Sequence, residues 1–405
     1  MAADASDDTT RFVDPVSGSD EADGQSADRA WRSLQSAFDR LQPGQTLLLM
    51  GGDYRGEVQS WHSHFVLAAS GTPESWIRVA AAPGSSPTIR ADQGNGIEVT
   101  GSYVEISGLN IVGESFGVDN DYGWGILIRN SHHVRAMHNE VSGMPVGGIG
   151  TVEASNVEII ENRVHDNCFW GPEQGSGISM WHSVDAGTEP SADGYHNRIV
   201  GNVLYRNENK VFSQWREHDA ITDGNGIIVD QFRETGYTGR TLVANNVAFD
   251  NGGRGILILE SDRVDVLSNT TFHNGRTPGL EGGAVELAAG HADDVVFANN
   301  LAWGLPGAPA LAADDTTGLV TGGNVLVTDR PDQVAGESDL VVAGDPGVRM
   351  ASVDPQVADF RPTAGSLLLG RAVPVAPVLI EDAARTPRSP AGAAVGAFEL
   401  ATGAG

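Results

Sequence analysis

One asparagine, recurring in a fixed setting, constrains this chain more than any other feature. It stands in His138-Asn139-Glu140-Val141, Glu161-Asn162-Arg163-Val164, Gly201-Asn202-Val203-Leu204, Asn245-Asn246-Val247-Ala248, Ser268-Asn269-Thr270-Thr271 and Asn299-Asn300-Leu301-Ala302. A second Asn follows five residues later at Asn167, Asn207, Asn251 and Asn274. Each block is joined to a Gly-led apolar run: Gly125-Ile126-Leu127-Ile128, Gly148-Ile149-Gly150-Thr151, Gly177-Ile178-Ser179-Met180, Gly226-Ile227-Ile228-Val229, Gly255-Ile256-Leu257-Ile258 and Gly283-Ala284-Val285-Glu286. A unit of about 20–25 residues built from short β-rich runs marks a solenoid, whose units bury their apolar faces against their neighbours. Alternation within each run sends one set of side chains inward and the other outward. Asn tolerates turn conformations, and its amide can bond the Asn one coil on, which suits a stacked turn ladder. The pattern predicts an all-β chain wound as a single-stranded parallel β-helix.

At 405 residues the chain has length for more than one domain, but the repeat makes residues 11–400 one elongated body behind a polar, disordered stretch at 1–10. A formal charge of −28 argues against nucleic acid or an anionic membrane as partner, and disfavours a polyanionic substrate unless cations or a metal gather locally. No apolar run reaches membrane-spanning length, and no signal peptide is visible at Met1-Ala2-Ala3-Asp4. The single cysteine, Cys168, excludes an internal disulfide framework and reads as a small buried apolar residue.

In chain order, Phe12-Val13-Asp14-Pro15 opens with a short strand. Residues 30–41 have helical periodicity, with Trp31, Leu34, Phe38 and Leu41 on one stripe, Ser26 or Asp28 as cap, and Pro43-Gly44 as stop. Since the end of a β-helix is open and apolar, this helix reads as its N-terminal plug. Coils follow from about 45 to 345, and residues 355–400 close the chain.

Phe12-Val13-Asp14-Pro15, Ala30-Trp31-Arg32-Ser33-Leu34-Gln35, Gln42-Pro43-Gly44-Gln45-Thr46 and Gly51-Gly52-Asp53-Tyr54-Arg55-Gly56 resemble the opening of secreted right-handed β-helix proteins related to pectate and alginate lyases. Asp359-Phe360-Arg361-Pro362-Thr363-Ala364-Gly365-Ser366 and Val395-Gly396-Ala397-Phe398-Glu399 are similar to their close. The resemblance implies a right-handed helix, a secreted location and action on a polysaccharide. It does not choose an activity, since this superfamily holds lyases, hydrolases, epimerases and binders.

Spacing shows where function gathers. The first-ladder intervals are 23 (139 to 162), 40 (162 to 202), 44 (202 to 246), 23 (246 to 269) and 31 (269 to 300). If 23 is the plain coil, the two coils within 163–245 carry 17 and 21 extra residues, on both flanks of their Gly-led strands. Long loops on a rigid scaffold are where binding and catalysis concentrate, and loops on both edges of one sheet wall a groove suited to a linear polymer.

The residues there are chemically rich. Lys210 is the only Lys in the chain, and a desolvated Lys can serve as a base; the competing reading is a surface charge paired with Glu208 or Glu217. Asp223, Asn225 and Asp230 surround one Gly-led strand and offer oxygens for Ca²⁺, although Asp223 also fits an ordinary turn. Alternation puts Ile227 and Val229 inward, with Ile228 and Asp230 outward. Ser179 and Trp181 point outward in the neighbouring coil, with His182 at the strand end. Trp170, Trp181 and Trp215 suit stacking on sugar faces, or packing beneath the inserted loops. Arg216, Glu217 and His218 stand in the same loop as Lys210 and read as site residues, with Glu217 and His218 toward substrate. Arg254, Glu260, Glu281 and Glu286 in the next coils extend the groove or are solvated charge, and His273 and His132-His133 read as structural.

Three functions remain open. The leading one is β-elimination on, or C5-epimerisation of, a uronate polymer, with Lys210 as base, Arg216 as neutraliser, and Ca²⁺ on Asp223, Asn225 and Asp230, as related lyases imply. The second is glycoside hydrolysis by Asp223 and Asp230, with Glu217 or Asp219 as alternatives. The third is carbohydrate binding without turnover.

Overall fold

In the computed structural model, which describes residues 9–59, 62–187, 189–190, 194–330, 332–389 and 392–400, three long parallel sheets of eleven, eleven and nine strands run side by side. Sheet 1 starts at Thr10–Val13, sheet 2 at Gly52–Tyr54 and sheet 3 at Ser63–Leu67. One plain coil shows the plan: Trp124–Arg129 in sheet 3, His132–Met137 in sheet 1 and Glu140–Ser142 in sheet 2, before the chain returns to sheet 3 at Gly147–Val152. This is the parallel β-helix that the repeat predicts. Its core is a column of stacked side chains: Ile97, Ile126, Ile149, Ile178, Ile227, Ile256 and Leu287 are in register and fully buried. Each such burial stabilises the coil by about 2 kcal/mol.

The Asn residues form two ladders. Each side-chain oxygen accepts from the backbone N–H and the side-chain amide of the Asn one coil earlier. The first ladder runs Asn139, Asn162, Asn202, Asn246, Asn269 and Asn300, continues to Asn324, and ends on the carboxylate of Asp339. The residue before each ladder Asn turns the corner in the left-handed region, as at His138 (φ 55°), Glu161 (53°) and Asn245 (56°), which explains why Gly201 serves equally well there. The second ladder runs Asn167, Asn207, Asn251 and Asn274 and ends on Glu286, which accepts from the Asn274 N–H at 2.8 Å and its side-chain amide at 2.6 Å.

Glu286 corrects the sequence reading. Leu287 pairs with Ile256, so Glu286 rather than Gly283 occupies the recurring glycine position. That position faces the second ladder: a Cβ added at Gly177 would lie 2.7 Å from the Asn207 amide nitrogen. At the last rung no further Asn arrives, and Glu286 fills the space fully buried instead of extending a groove.

The N-terminal cap is also smaller than the 30–41 periodicity suggests. The α-helix spans only Leu34–Phe38, and Trp31 pairs with Val13 as an isolated bridge. The apolar stripe is nevertheless buried as expected, with Trp31, Leu34, Phe38 and Leu41 all in the core. The helix starts at Ser33, whose hydroxyl donates to Asp20, while Ser26 precedes a 3-10 turn at Ala27–Arg29. The reading of disorder at 1–10 falls on positions 1–8, outside the described residues, whereas Thr10 already belongs to the first strand.

Outer faces differ. Sheet 1 carries a register of alternating charge, Arg78, Glu105, Arg135, Glu158 and Arg198. Sheet 2 is covered in its C-terminal half by the closing segment, where Phe360 packs on Phe249 and Phe272. Sheet 3 is the face left beside the long insertions.

Two outcomes test the ladders. Asn202→Ala removes the acceptor of the Asn162 N–H (2.9 Å) and side-chain amide (3.0 Å), and the donor to the Ile159 carbonyl. Leaving these groups buried and unsatisfied is expected to cost about 3–5 kcal/mol in denaturant unfolding. Burial raises the Glu286 carboxyl from 4.5 to about 8. Its contribution to stability is therefore full below pH 4.5 and lost as pH rises through 8. The melting-temperature gap between wild type and Glu286→Gln should narrow from pH 5 to pH 9; a constant gap would show that Glu286 is ionised throughout.

Candidate active site

Two insertions flank the outer face of sheet 3. Residues 206–225 lead from sheet 2 into the strand Ile227–Asp230, and the other insertion leaves the preceding strand Ile178–Trp181 and rejoins sheet 1 at Asn197–Val200. The first insertion is pinned by Gln174, whose amide donates to the Val211 carbonyl at 2.9 Å and accepts from the Thr222 N–H at 3.0 Å. Pairing places Ser179 beside Ile228 and Trp181 beside Asp230, all outward, while Ile227 and Val229 enter the core.

Asp223 and Asp230 dominate the electrostatics. Asp223 is pushed up to about 6 by burial, against the pull of Arg254 and of hydrogen bonds from Asn225 (2.9 Å) and Thr222 (3.2 Å). Asp230 is pushed up to about 8, first by burial, then by the charges of Asp223, Glu260 and Glu234. Its Oδ1 is buried without a hydrogen-bond partner. At neutral pH this pair holds one ionised and one protonated carboxyl, the division of labour that acid–base chemistry requires. Two cavities of about 300 and 160 Å³ lie elsewhere, under the N-terminal cap and beside Trp303.

A match to the family description "Pel9A-like, right handed beta helix region" spans residues 12–284. The chain belongs to this Pel9A-like family. Its helix is therefore right-handed. Among solved structures, pectate lyase Pel9A is 18% identical, covering 97% of this chain and 96% of that chain, with a TM-score of 0.56. XylC in complex with xylose is 10% identical over 97% of this chain and 98% of its own, with a TM-score of 0.54. A rhamnogalacturonan lyase is 15% identical over 82% and 90%, with a TM-score of 0.50. At such identities the likeness is one of fold. No curated protein matches the chain.

On this Pel9A-like frame the other expected site residues divide. Trp181 is 39% exposed; its indole stacks on His182 at 3.8 Å and donates to the Gln231 side chain at 2.8 Å. His182 is 3.1 Å from Glu234. These residues stand with Asp230. Arg254 is buried, donating to the carbonyls of Thr222 and Glu281, so it braces the insertion from beneath instead of offering a surface cation. Arg216 pairs with Glu281 at 3.1 Å and His218 with the same carboxylate at 3.5 Å, on the exposed outer loop with Trp215 and Glu217. Lys210 lies 3.9 Å over the Phe169 ring and 3.8 Å from Glu208, half exposed, with no contact to either aspartate. Trp170 is half-buried, its backbone bonded to Pro145.

The suggested Ca²⁺ site does not assemble from these donors. Asn225 spends its side-chain oxygen on the Arg254 N–H (2.8 Å) and turns its amide N–H toward Asp223. The Arg254 charge beside Asp223 further opposes a cation. Among the described residues no three His, Cys, Asp or Glu side chains converge elsewhere. Sequence reasoning missed Gln231 and Glu234, which stand one and four residues after Asp230. It also missed Trp124, whose position before Gly125 was visible.

Coupling between the two aspartates is testable by carboxyl ¹³C NMR. Asp223→Asn removes the largest like charge acting on Asp230, so the Asp230 titration should move down from about 8. An unmoved titration would mean the carboxyls act independently.

Proposed function

We propose that this protein is a carbohydrate-active enzyme that hydrolyses glycosidic bonds of a linear polysaccharide laid across the outer face of sheet 3. The observation that carries the reading is the pair Asp223 and Asp230, whose proton affinities are pushed apart to about 6 and about 8 at one strand of the expanded coils. The pectate lyase, the rhamnogalacturonan lyase and the xylose-holding XylC among its structural relatives support a carbohydrate as ligand. The Asp230 hydroxyl donates its proton to the glycosidic oxygen as the carbon–oxygen bond breaks. The Asp223 carboxylate supplies the electron pair that the anomeric carbon then needs, directly or through a water molecule. The unpartnered Asp230 oxygen is consistent with an acid awaiting its acceptor. A secreted location follows from such a substrate.

Activity should require Asp223 ionised and Asp230 protonated. The rate should thus rise with pH through about 6 and fall through about 8, read as new reducing ends on a polysaccharide panel. Asp223→Asn and Asp230→Asn should each lose at least about a hundredfold, with Lys210→Ala nearly unaffected.

Membership of the Pel9A-like family favours a second reading, elimination with Lys210 as base and Arg216 as neutraliser. It would appear as unsaturated-uronate absorbance abolished by Lys210→Ala. Binding without either signal would leave a non-catalytic carbohydrate-binding protein.

A further inference from the structure

The charges and aromatic faces of sheet 3 bear on which glycan it takes. Cations along the face are already held by carboxylates. Lys210 pairs with Glu208, Arg216 with Glu281, Arg233 with Asp262 and Asp293, and Arg129 with the buried Glu98. Arg254 is sealed beneath the insertion on two backbone carbonyls. A uronate entering here would have to break one of these pairs while approaching Asp223, Glu260 and Glu234, a like-charge encounter with no cation in compensation.

Aromatic surface, in contrast, is laid out on a diagonal across sheet 3. Trp181 stands one coil before Asp230. Two coils before Trp181, Trp124 reaches over the next strand. A Cβ added at Gly147 would lie 2.1 Å from its ring and one at Gly150 would lie 2.8 Å away, so these glycines are the seat on which the indole rests. Beside Asp230, two residues nearer the start of the strands, the floor is apolar, formed by Ile228, Leu257 and Ala288. Coils stack about 4.8 Å apart, and the Trp124 ring over Gly147 and Gly150 stands two to five register positions to one side of Trp181, so a chain passing Trp124, Trp181 and Asp230 runs obliquely across the sheet.

We propose that the polymer bound here is a neutral glycan, seated on Trp181 next to the point of cleavage and on Trp124 two coils further toward the N-terminal end. This rests on the assignment of sheet 3 as the substrate face, and it deepens that assignment by naming the substrate class and a subsite at Trp124. Stacking of a sugar face on an indole needs no charge, and its contribution should be insensitive to salt.

The test is binding to the full chain carrying Asp223→Asn, by calorimetry with xylo-, gluco- and galacturono-oligosaccharides of two and six units at 20 and 500 mM NaCl. A neutral hexasaccharide should bind with little salt dependence. Trp124→Ala should weaken the hexasaccharide about tenfold and leave the disaccharide unchanged, whereas Trp181→Ala should weaken both. Gly150→Ala, which unseats the Trp124 indole, should reproduce the Trp124→Ala pattern, and circular dichroism melts identify any variant that fails to fold. Tighter binding of the galacturonate hexamer at 20 mM NaCl overturns the neutral assignment. Equal loss for both lengths in Trp124→Ala overturns the subsite. Neutral binding without new reducing ends in the wild type would uphold this inference while removing the hydrolase reading.

Discussion

The side-chain amide of asparagine, used in one direction, is the interaction on which the rest of the structure depends. Each ladder Asn donates toward the C-terminal end and accepts from the coil before it, so the hydrogen bonds form a polar thread through an apolar interior. Inside the helix, where water cannot compete, such a thread stabilises strongly only if no rung is left unsatisfied. A directional thread ends with donors that need an acceptor and with nothing further to receive a proton. A carboxyl group meets this condition, since ionised it only accepts, and protonated, as burial favours for Glu286, both oxygens keep acceptor lone pairs. Both ladders end on one, Asp339 in the first and Glu286 in the second.

The ladders also explain how coils of unequal length share one register. Between Asn162 and Asn202 the chain spends 40 residues, and between Asn246 and Asn269 only 23, yet the amide-to-oxygen distance is 3.0 Å in both. Insertions therefore leave from the stretch after the second ladder Asn and from the corner between sheets 3 and 1, while the pegged corners do not move. Loop-closure entropy grows slowly with length, so such insertions are tolerated once the coil ends are fixed. The site stands beside the two longest insertions because there the scaffold supplies both a rigid strand and free chain.

Much of this was legible in the sequence, and the reasons for the remainder are specific. The Asn period and the two-residue alternation are local signals, and they placed Ile227 and Val229 in the core and Trp181 and Asp230 on the outer face. Glu286 was not legible, because a glutamate after Gly-Gly-Ala-Val reads as solvated charge until the Leu287–Ile256 pairing shows which residue stands in the glycine position. Trp31 shared the helical spacing of Leu34 and Phe38, yet pairing with Val13 drew it out of the helix. Lys210 stood out through rarity, a compositional fact carrying no information about contacts, and its partners proved to be Phe169 and Glu208. Arg254 looked like an available cation, since no local pattern foretells that an inserted loop will close over it.

The global charge of −28 invites the idea that the whole molecule raises the proton affinity of its carboxyls. Distance argues otherwise. At physiological ionic strength exposed charges are screened beyond about 8 Å, so most of the acidic surface is invisible to Asp230. What acts on it is burial, followed by the few carboxylates close by, Asp223 foremost. Asp223 feels the same burial but has Arg254, Asn225 and Thr222 to favour its ionised form, and it settles lower. The difference between two identical side chains is thus made by one buried arginine and two hydrogen bonds at Asp223, set against three nearby carboxylates at Asp230. Those partners are held in place by the strand that the ladders keep in register.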